Sequence, residues 1–362
     1  MPDKLKIGIL GTRGIPNHYG GFEQWAEQLS VGLVIRGCEV VVYNSNFHPY
    51  NQKQFNGVTI IKKWDPEKLG LASQFIYDLL CILDARNQNF DVIIQLGYTT
   101  SSVWGWLFPK KANTIYNMDG MEWTREKYKG LLKSFLKWAE RLAIKSSQIV
   151  VADSKPIKEY LDKKYSISSH FIAYPAEIVN HFNGEVLKQF NLEPNNYFLL
   201  IARFQPDNNL EMVIKGILTS ASKKPLVIVG NHNNKYGNYL KKKYENNRIL
   251  FLGKIYDKQK LDNLRHFATI YFHGHSAGGT NPSLLEAMAA GTVICAHKNK
   301  FNLSILGKDA FYFCNEKDIV VILNNPIKNK KVIEWLANNK RKIEEQYNPN
   351  LIIDKYYKLF NK

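Results

Sequence analysis

The chain has 362 residues, which at about 150 residues per domain is too long for one small module and sized for two. Apolar residues make up 45%, charged residues 22% and aromatics 13%, so a collagenous, coiled-coil or largely disordered chain is excluded. Lysine plus arginine exceed aspartate plus glutamate by 49 − 32 = 17, a surplus that needs an anionic partner or an anionic membrane surface.

The N-terminus enters a short apolar strand, Lys6 to Leu10, without the apolar stretch and small-residue cleavage site of a signal peptide. A segment of helical period follows from Gly21 to Arg36, then a strand from Glu39 to Tyr43, a helix within Leu71 to Phe90 and a strand from Asp91 to Leu96. Short β-branched runs alternating with helical segments predict βαβ units and a parallel sheet. The pattern continues with a strand from Asn113 to Asp119, a helix from Gly130 to Ser146, a strand from Gln148 to Ala152 and a helix opened by Pro156 at its first position.

A second series begins at Tyr197 to Arg203, with further strands at Pro225 to Gly230, Ile249 to Gly253, Thr269 to His273 and Thr292 to Ala296. Helices are predicted between them, the last running from Pro282 to Ala290. The expectation is an α/β protein of two facing, doubly wound parallel sheets: a Rossmann-like domain over residues 1–175, a second over 176–347, and a helix over 348–362 that packs back on the first. The segment Tyr174 to Pro194, with Pro175, Asn183, Gly184 and Pro194, reads as the linker. Ligands of such sheets bind at the carboxyl ends of the strands, so an interdomain cleft is where chemistry is expected. The four cysteines lack CxxC spacing, which predicts reduced thiols and a cytoplasmic protein. No run reaches the roughly 18 apolar residues of a spanning helix, so membrane contact would be peripheral.

The first strand runs into Gly8-Ile-Leu-Gly11-Thr-Arg-Gly14-Ile-Pro-Asn-His-Tyr-Gly20-Gly21-Phe-Glu23, a glycine-rich turn opening a helix. Glycines there let backbone N–H groups and the positive helix end approach a phosphate. The spacing is GxxGxxG, not the GxGxxG of dinucleotide sites, and the second strand ends in Tyr43-Asn44 where such sites carry a ribose-binding acid. Tight-turn geometry accounts for Gly8 and Gly11 but poorly for the doubled Gly20-Gly21.

After Thr269 to His273 comes His-Ser-Ala-Gly278-Gly279-Thr280-Asn281-Pro282-Ser283-Leu-Leu-Glu286, closed by Gly291. Asn281 suits a helix N-cap, Pro282 the first helical position and Gly291 the stop. Gly279, Thr280 and Asn281 offer N–H groups at the helix mouth, an anion site for a diphosphate. Glu286, one turn in, is placed to accept hydrogen bonds from the vicinal hydroxyls of a ribose. Arg203, at the end of the strand Tyr197 to Arg203, suits bidentate binding of phosphate oxygens; an ordinary surface ion pair is the alternative. Asp119 and Glu122, at the end of Asn113 to Met118, are candidates for acid/base or sugar-hydroxyl roles, or for capping the next helix. The histidines show no metal-ligand spacing, so no metal is expected.

Four ordered motifs, GTRGIPNHYGGFE (11–23), NMDGMEWTR (117–125), ARFQPDNN (202–209) and GHSAGGTNPSLLEAM (274–288), resemble glycosyltransferase family 4. The likeness is to its branch of bacterial rhamnosyltransferase-like proteins with the GTRGIPxxYGGFE N-terminus, and it covers nearly the whole chain. The resemblance implies a GT-B fold and transfer of a sugar from a nucleoside diphosphate donor to a glycan or lipid-linked acceptor, with retention of configuration and no tightly bound cofactor. It assigns Arg203 to the diphosphate and Glu286 to the donor ribose. It sends the Gly20-Gly21 loop to the region of the diphosphate and acceptor, so that His18 and Tyr19 of that loop, with Glu122, are the acceptor candidates. Asp119 would orient acceptor or donor sugar beside the catalytic Arg203. Two departures stand out: the family's Glu-x7-Glu pattern meets Gly278, and the lysine following the arginine is replaced in Asp207-Asn208-Asn209. The first points to a donor sugar held by backbone groups, with rhamnose from its dTDP donor as the analogy.

The cations Lys129, Lys133, Lys137, Arg141 and Lys145 recur every four residues, with Leu132, Phe135, Leu136, Ala139, Leu142 and Ala143 as the opposite stripe. This predicts either an ordinary half-buried helix or a basic face docked on anionic lipid. Two other classes compete for the whole: a nucleotide-sugar epimerase, and a basic nucleic-acid-binding protein, against which stands the lack of a helix-turn-helix, zinc or RNP-like motif.

Overall fold

The computed structural model describes residues 4–18, 20–125, 128–325 and 329–360. Contacts divide them into two compact units, one holding the residues up to Tyr174 together with those from Pro349 onward, the other Pro175–Asn348.

The first unit runs β1 (Lys6–Leu10), α1 (Gly21–Ile35), β2 (Glu39–Ser45), β3 (Gln54–Phe55), β4 (Val58–Lys63), α2 (Leu71–Ala85), β5 (Val92–Leu96), β6 (Asn113–Met118), α3 (Gly130–Ser146), β7 (Ile149–Ala152), α4 (Lys155–Tyr165) and β8 (His170–Phe171). The sheet order is β3-β4-β2-β1-β5-β6-β7-β8. Every pairing is parallel except the short β3–β4 hairpin. Strands β1, β2 and β5 are almost wholly buried, as expected of parallel strands covered on both faces. The order reverses between β1 and β5, so the loops after these two strands diverge and leave a crevice at their carboxyl ends.

The second unit contains β9 (Phe198–Ile201), α5 (Leu210–Thr219), β10 (Leu226–Val229), α6 (Lys235–Tyr244), β11 (Ile249–Gly253), α7 (Lys258–His266), β12 (Ile270–His273), α8 (Pro282–Ala289), β13 (Ile294–His297), α9 (Lys300–Leu306), β14 (Phe311–Phe313), α10 (Glu316–Asn324) and α11 (Asn329–Gln346). Its all-parallel order, β11-β10-β9-β12-β13-β14, is the dinucleotide-fold order with the switch point between β9 and β12. Phe198, Leu200, Ile228 and Phe272 from the strands meet Leu210, Val213 and Ile217 of α5 in its core.

The last helix, α12 (Pro349–Tyr357), belongs to the first unit. Ile353 lies so close to α1 that a Cβ on Gly32 would sit 2.3 Å from its Cδ1. The Arg36 Nε donates to Asp354 at 2.7 Å, and Asn117 Nδ2 donates to the Tyr356 hydroxyl at 3.1 Å.

Two local expectations are corrected. Pro156 occupies the second position of α4, behind Lys155 and the flanking Ser154, where its missing N–H is equally harmless. On α3, Leu136, Ala139 and Ala143 are buried, but Leu132 is not part of the buried stripe: Leu131 is 90%, Leu132 40% and Trp138 46% exposed. The buried stripe of α3 begins at Leu136 and includes Glu140. That carboxylate accepts from Trp123 Nε1 at 2.9 Å, Tyr160 OH at 2.9 Å, Lys164 Nζ at 2.8 Å and Tyr165 OH at 2.7 Å. Four donors compensate the desolvation of a buried acid.

Candidate active site

At the switch point of the second unit, the loops after β9 and β12 are laced together. Asn209 Nδ2 donates to the Gly274 carbonyl at 2.8 Å, and both the backbone N–H (3.0 Å) and the hydroxyl (2.8 Å) of Ser276 donate to the Asp207 carbonyl. Asn208 Nδ2 closes the β9 loop on the Arg203 carbonyl at 2.7 Å. A Cβ on Gly274 would stand 2.1 Å from the Asn208 carbonyl oxygen, so only glycine permits this approach. The Asp207-Asn208-Asn209 stretch, which departs from the family pattern, is thus the clasp of the two loops. The signal for it in the sequence was a run of side chains that bond backbone groups readily.

From these loops Arg203 stands exposed, and among the described residues no carboxylate lies within ion-pair distance of it. Asn281 caps α8, its Oδ1 accepting from Ser283 N at 3.0 Å, with Pro282 in the first turn and Gly291 following the end at φ +69°. Capping spends the acceptor of the Asn281 side chain, so what this residue and its neighbours present to an anion are N–H donors at the positive helix end. Gly278 has φ +123°, a conformation that a side chain strains. The glutamate of the family pattern would not fit this backbone unstrained, so its absence here is built into the loop.

Glu286 projects from α8 with its Oε2 ion-paired to Arg265 Nη2; its Oε1 makes no hydrogen bond among the described residues. Arg265, on α7, is 1% exposed and also donates through Nη1 to Asp262 at 3.0 Å. Neither Arg265 nor this pairing was anticipated, because the two residues are 21 apart on different helices. Beneath the loop, His273 is fully buried with neither ring nitrogen hydrogen-bonded. Burial first, then the proximity of His275 and His297, holds its pKa well below the usual histidine range, which keeps the ring neutral.

In the first unit the glycine-rich loop is held from inside. Asn44, fully buried at the end of β2, accepts from Ile15 N at 3.1 Å and donates to the Ile15 carbonyl at 2.7 Å. A dinucleotide fold has its ribose acid here; this chain uses the position to brace its own loop. His48 adds a second brace, its Nε2 3.0 Å from the Pro16 carbonyl while its Nδ1 accepts from Tyr50 N at 3.2 Å. Glu23, buried in the first turn of α1, accepts from Arg13 N at 3.2 Å, and burial raises its pKa. Gly14, at φ +129°, would place a Cβ 2.5 Å from Asn44 Cγ, whereas a Cβ on Gly20 meets only Glu23 Oε2 at an ordinary 3.6 Å. The chain's own packing therefore explains Gly14, while Gly20 is the N-cap of α1, a position that favours glycine, and has room beside it.

His18 is exposed, its ring 6.4 Å from that of His48, and Tyr19 lies outside the described residues. Asp119 is half-buried beyond β6, where its charge bears on Tyr98 and Tyr174. Glu122 accepts from Arg125 Nε at 2.9 Å on a short 3-10 turn. Neither acid caps α3, whose flanking residue is Lys129, which removes the capping alternative. Among the described residues no group of three or more histidine, cysteine, aspartate or glutamate side chains is arranged to hold a metal ion.

Residues 4–177 match a domain of unknown function (DUF1972), and residues 184–350 match Glycosyl transferases group 1. The chain carries a group 1 glycosyltransferase domain and is a glycosyltransferase. An uncharacterized glycosyltransferase of Methanocaldococcus jannaschii, MJ1069, is 23% identical over 308 residues, 76% of either chain. Sucrose-phosphate synthase (tll1590) from Thermosynechococcus elongatus superposes with a TM-score of 0.83 over 99% of this chain and 98% of its own, at 15% identity. Anabaena Alr3699/HepE, solved in complex with UDP and glucose, gives 0.78 over 99% and 100%, at 14% identity. At such identities the likeness establishes the fold, two Rossmann-like parallel-sheet domains of the GT-B class. The β9/β12 switch point lies inside the glycosyltransferase domain, and so do Arg203, the α8 mouth and Glu286.

Proposed function

We propose that this glycosyltransferase moves a sugar from a nucleoside diphosphate to a glycan or polyprenyl-diphosphate-linked saccharide of the bacterial surface. The observation that carries the reading is the exposed Arg203, with no carboxylate partner among the described residues, at a switch point whose other edge is the capped N-terminus of α8. A departing diphosphate accumulates charge as the anomeric carbon becomes oxocarbenium-like, and backbone N–H groups of Gly279 to Asn281 with one guanidinium supply preorganised stabilisation for it. On a retaining course the leaving phosphate oxygen takes the acceptor hydroxyl's proton on the same face as the new bond forms, and Asp119 orients a sugar. Gly20 and Gly21 give the acceptor side a close backbone approach, with His18, Tyr19 and Glu122 nearby in sequence or at the same strand edge. Solved relatives of the fold bind UDP and UDP-glucose, which supports a nucleotide-sugar donor.

For the donor sugar we favour rhamnose from dTDP-rhamnose, since Gly278 replaces the glutamate of the family pattern with a backbone-only surface. With Oε2 of Glu286 engaged by Arg265, the remaining oxygen suits the single 3′-hydroxyl that a deoxynucleotide retains. Incubation with dTDP-rhamnose and UDP-glucose, with and without a lipid-linked glucose acceptor, is expected to give acceptor-dependent release of nucleoside diphosphate. Isomerised donor formed without acceptor would replace this reading with an epimerase.

The enzyme works, in this reading, in the cytoplasm against the inner face of the plasma membrane. Leu131, Leu132 and Trp138 are exposed on α3 beside Lys129, Lys133, Lys137 and Arg141, and Trp106 is 75% exposed. Each cation near an anionic surface contributes about 1 kcal/mol, and the apolar side chains enter the headgroup boundary. Leu131→Glu with Leu132→Glu is expected to weaken co-sedimentation with phosphatidylglycerol vesicles about tenfold while leaving nucleotide binding intact. Equal sedimentation of variant and parent would rule this face out.

A further inference from the structure

We infer that Arg265 is a positioning residue for the nucleoside: it fixes the carboxylate of Glu286 by one oxygen so that the other is presented to a sugar hydroxyl. The inference rests on the proposed role of Glu286 and goes beyond it by naming what holds that side chain in place.

The arrangement is a chain of alternating charge running inward from the surface. Lys258 Nζ, on a half-exposed side chain, donates to Asp262 Oδ2 at 2.6 Å; Asp262 Oδ1 accepts from Arg265 Nη1 at 3.0 Å; Arg265 Nη2 meets Glu286 Oε2. The Arg265 side chain is 2% exposed and that of Glu286 20%, so the pair straddles the boundary between the packed α7–α8 interface and solvent. The Arg265 backbone is held as well, its carbonyl accepting from the Thr292 hydroxyl at 2.6 Å.

A buried guanidinium is a poor device for stability alone. Its desolvation cancels most of the attraction to its partners, and a well-packed apolar side chain of similar volume commonly serves the fold as well or better. What the ion pair does that an apolar contact cannot is restrict a carboxylate with free rotation about its terminal bond to one orientation. The guanidinium is a planar fork, held on one tine by Asp262 and offering the other to Glu286, so it transmits the position of α7 to a group on α8. An oriented acceptor binds a hydroxyl without losing that rotational freedom on binding.

The test is a double-mutant cycle read by calorimetric titration of uridine diphosphate and thymidine diphosphate, with circular dichroism and melting curves as controls on folding. Glu286→Gln and Arg265→Met should each weaken the better-bound nucleotide about tenfold, and Arg265→Met should add less than twofold in the Glu286→Gln background, since both remove one interaction. Arg265→Lys, which keeps a donor without the fork, should recover part of the loss. Full additivity of the two losses, or wild-type affinity in Arg265→Met, would overturn the inference. If Arg265→Met does not fold, Asp262→Ala decides: removing the acceptor of one tine should weaken binding about threefold, and no change rejects the positioning role. Unchanged affinity in Glu286→Gln is a different result and rejects the nucleoside role of Glu286 itself.

Discussion

Replacing Arg203 by alanine is expected to reduce affinity for a nucleoside diphosphate sugar about 100-fold, with almost no change in melting temperature. The side chain is exposed and has no carboxylate partner among the described residues, so its removal costs the fold well under 1 kcal/mol, as for most surface substitutions. A bidentate, charge-assisted contact to phosphate is worth about 3 kcal/mol, and that is a factor of about 100 in Kd. Arg203→Lys keeps the charge but loses the planar fork, so it should fall between the two. Titration calorimetry with the intact donor measures the effect directly. Affinity within twofold of the parent would move the diphosphate elsewhere, and a lowered melting temperature would show that Arg203 serves the fold. Because the β9 loop is clasped through Asn208 and Asn209 and not through Arg203's side chain, binding and stability are separable at this position.

A second large effect is expected at Asp78, where the sign runs toward acid. This carboxylate on α2 is 3% exposed; it accepts from Gln74 Nε2 at 2.9 Å and from the Thr100 hydroxyl. Burial, reinforced by the charge of Asp65, pushes its pKa up from 3.8 to about 6 despite those two donors. A carboxyl group whose pKa is higher in the folded than in the unfolded chain binds more protons when folded. Its contribution to stability is therefore complete below about pH 4 and is lost as the pH rises through about 6, a change of about 3 kcal/mol. Asp78→Asn retains both hydrogen bonds, with the amide donating to Thr100 Oγ1, and carries no charge to desolvate. It is expected to raise the melting temperature at pH 8 by about 5 °C and to converge with the parent below pH 4. A variant that melts with the same pH slope as the parent between pH 4 and 7 would show that Asp78 is not the group responsible.

Much of the order of strands and helices was legible because parallel strands covered on both faces are near-continuous apolar runs, as in Val40 to Tyr43 and Val92 to Ile94, and the helices between them keep a 3.6-residue period; β3, β4, β8, β14 and α9 to α11 were not read from it. The α8 mouth was legible for a local reason: cap, proline and stop glycine act within one or two turns of their own helix. What the sequence concealed is whatever joins residues far apart in the chain. The clasp of Asn209 on Gly274 spans 65 residues, the brace of Asn44 on Ile15 spans 29, and the Arg265–Glu286 pair spans 21. Glu140 shows the same blindness in a helix: its spacing places it among cations on a solvated face, but Trp123 from the turn after β6 and Tyr160, Lys164 and Tyr165 from α4 converge to bury it. Leu131 and Leu132 are the converse, apolar by composition yet 90% and 40% exposed at the first turn of α3.

The return of α12 to α1 imposes an order on biosynthesis. The surface formed by Trp25, Gly32 and Asn117 is finished only by Ile353 and Tyr356, which leave the ribosome after every residue of the second unit. A nascent chain therefore carries an incomplete first unit throughout translation of the second, and the two cannot be acquired as independent, successive folding events.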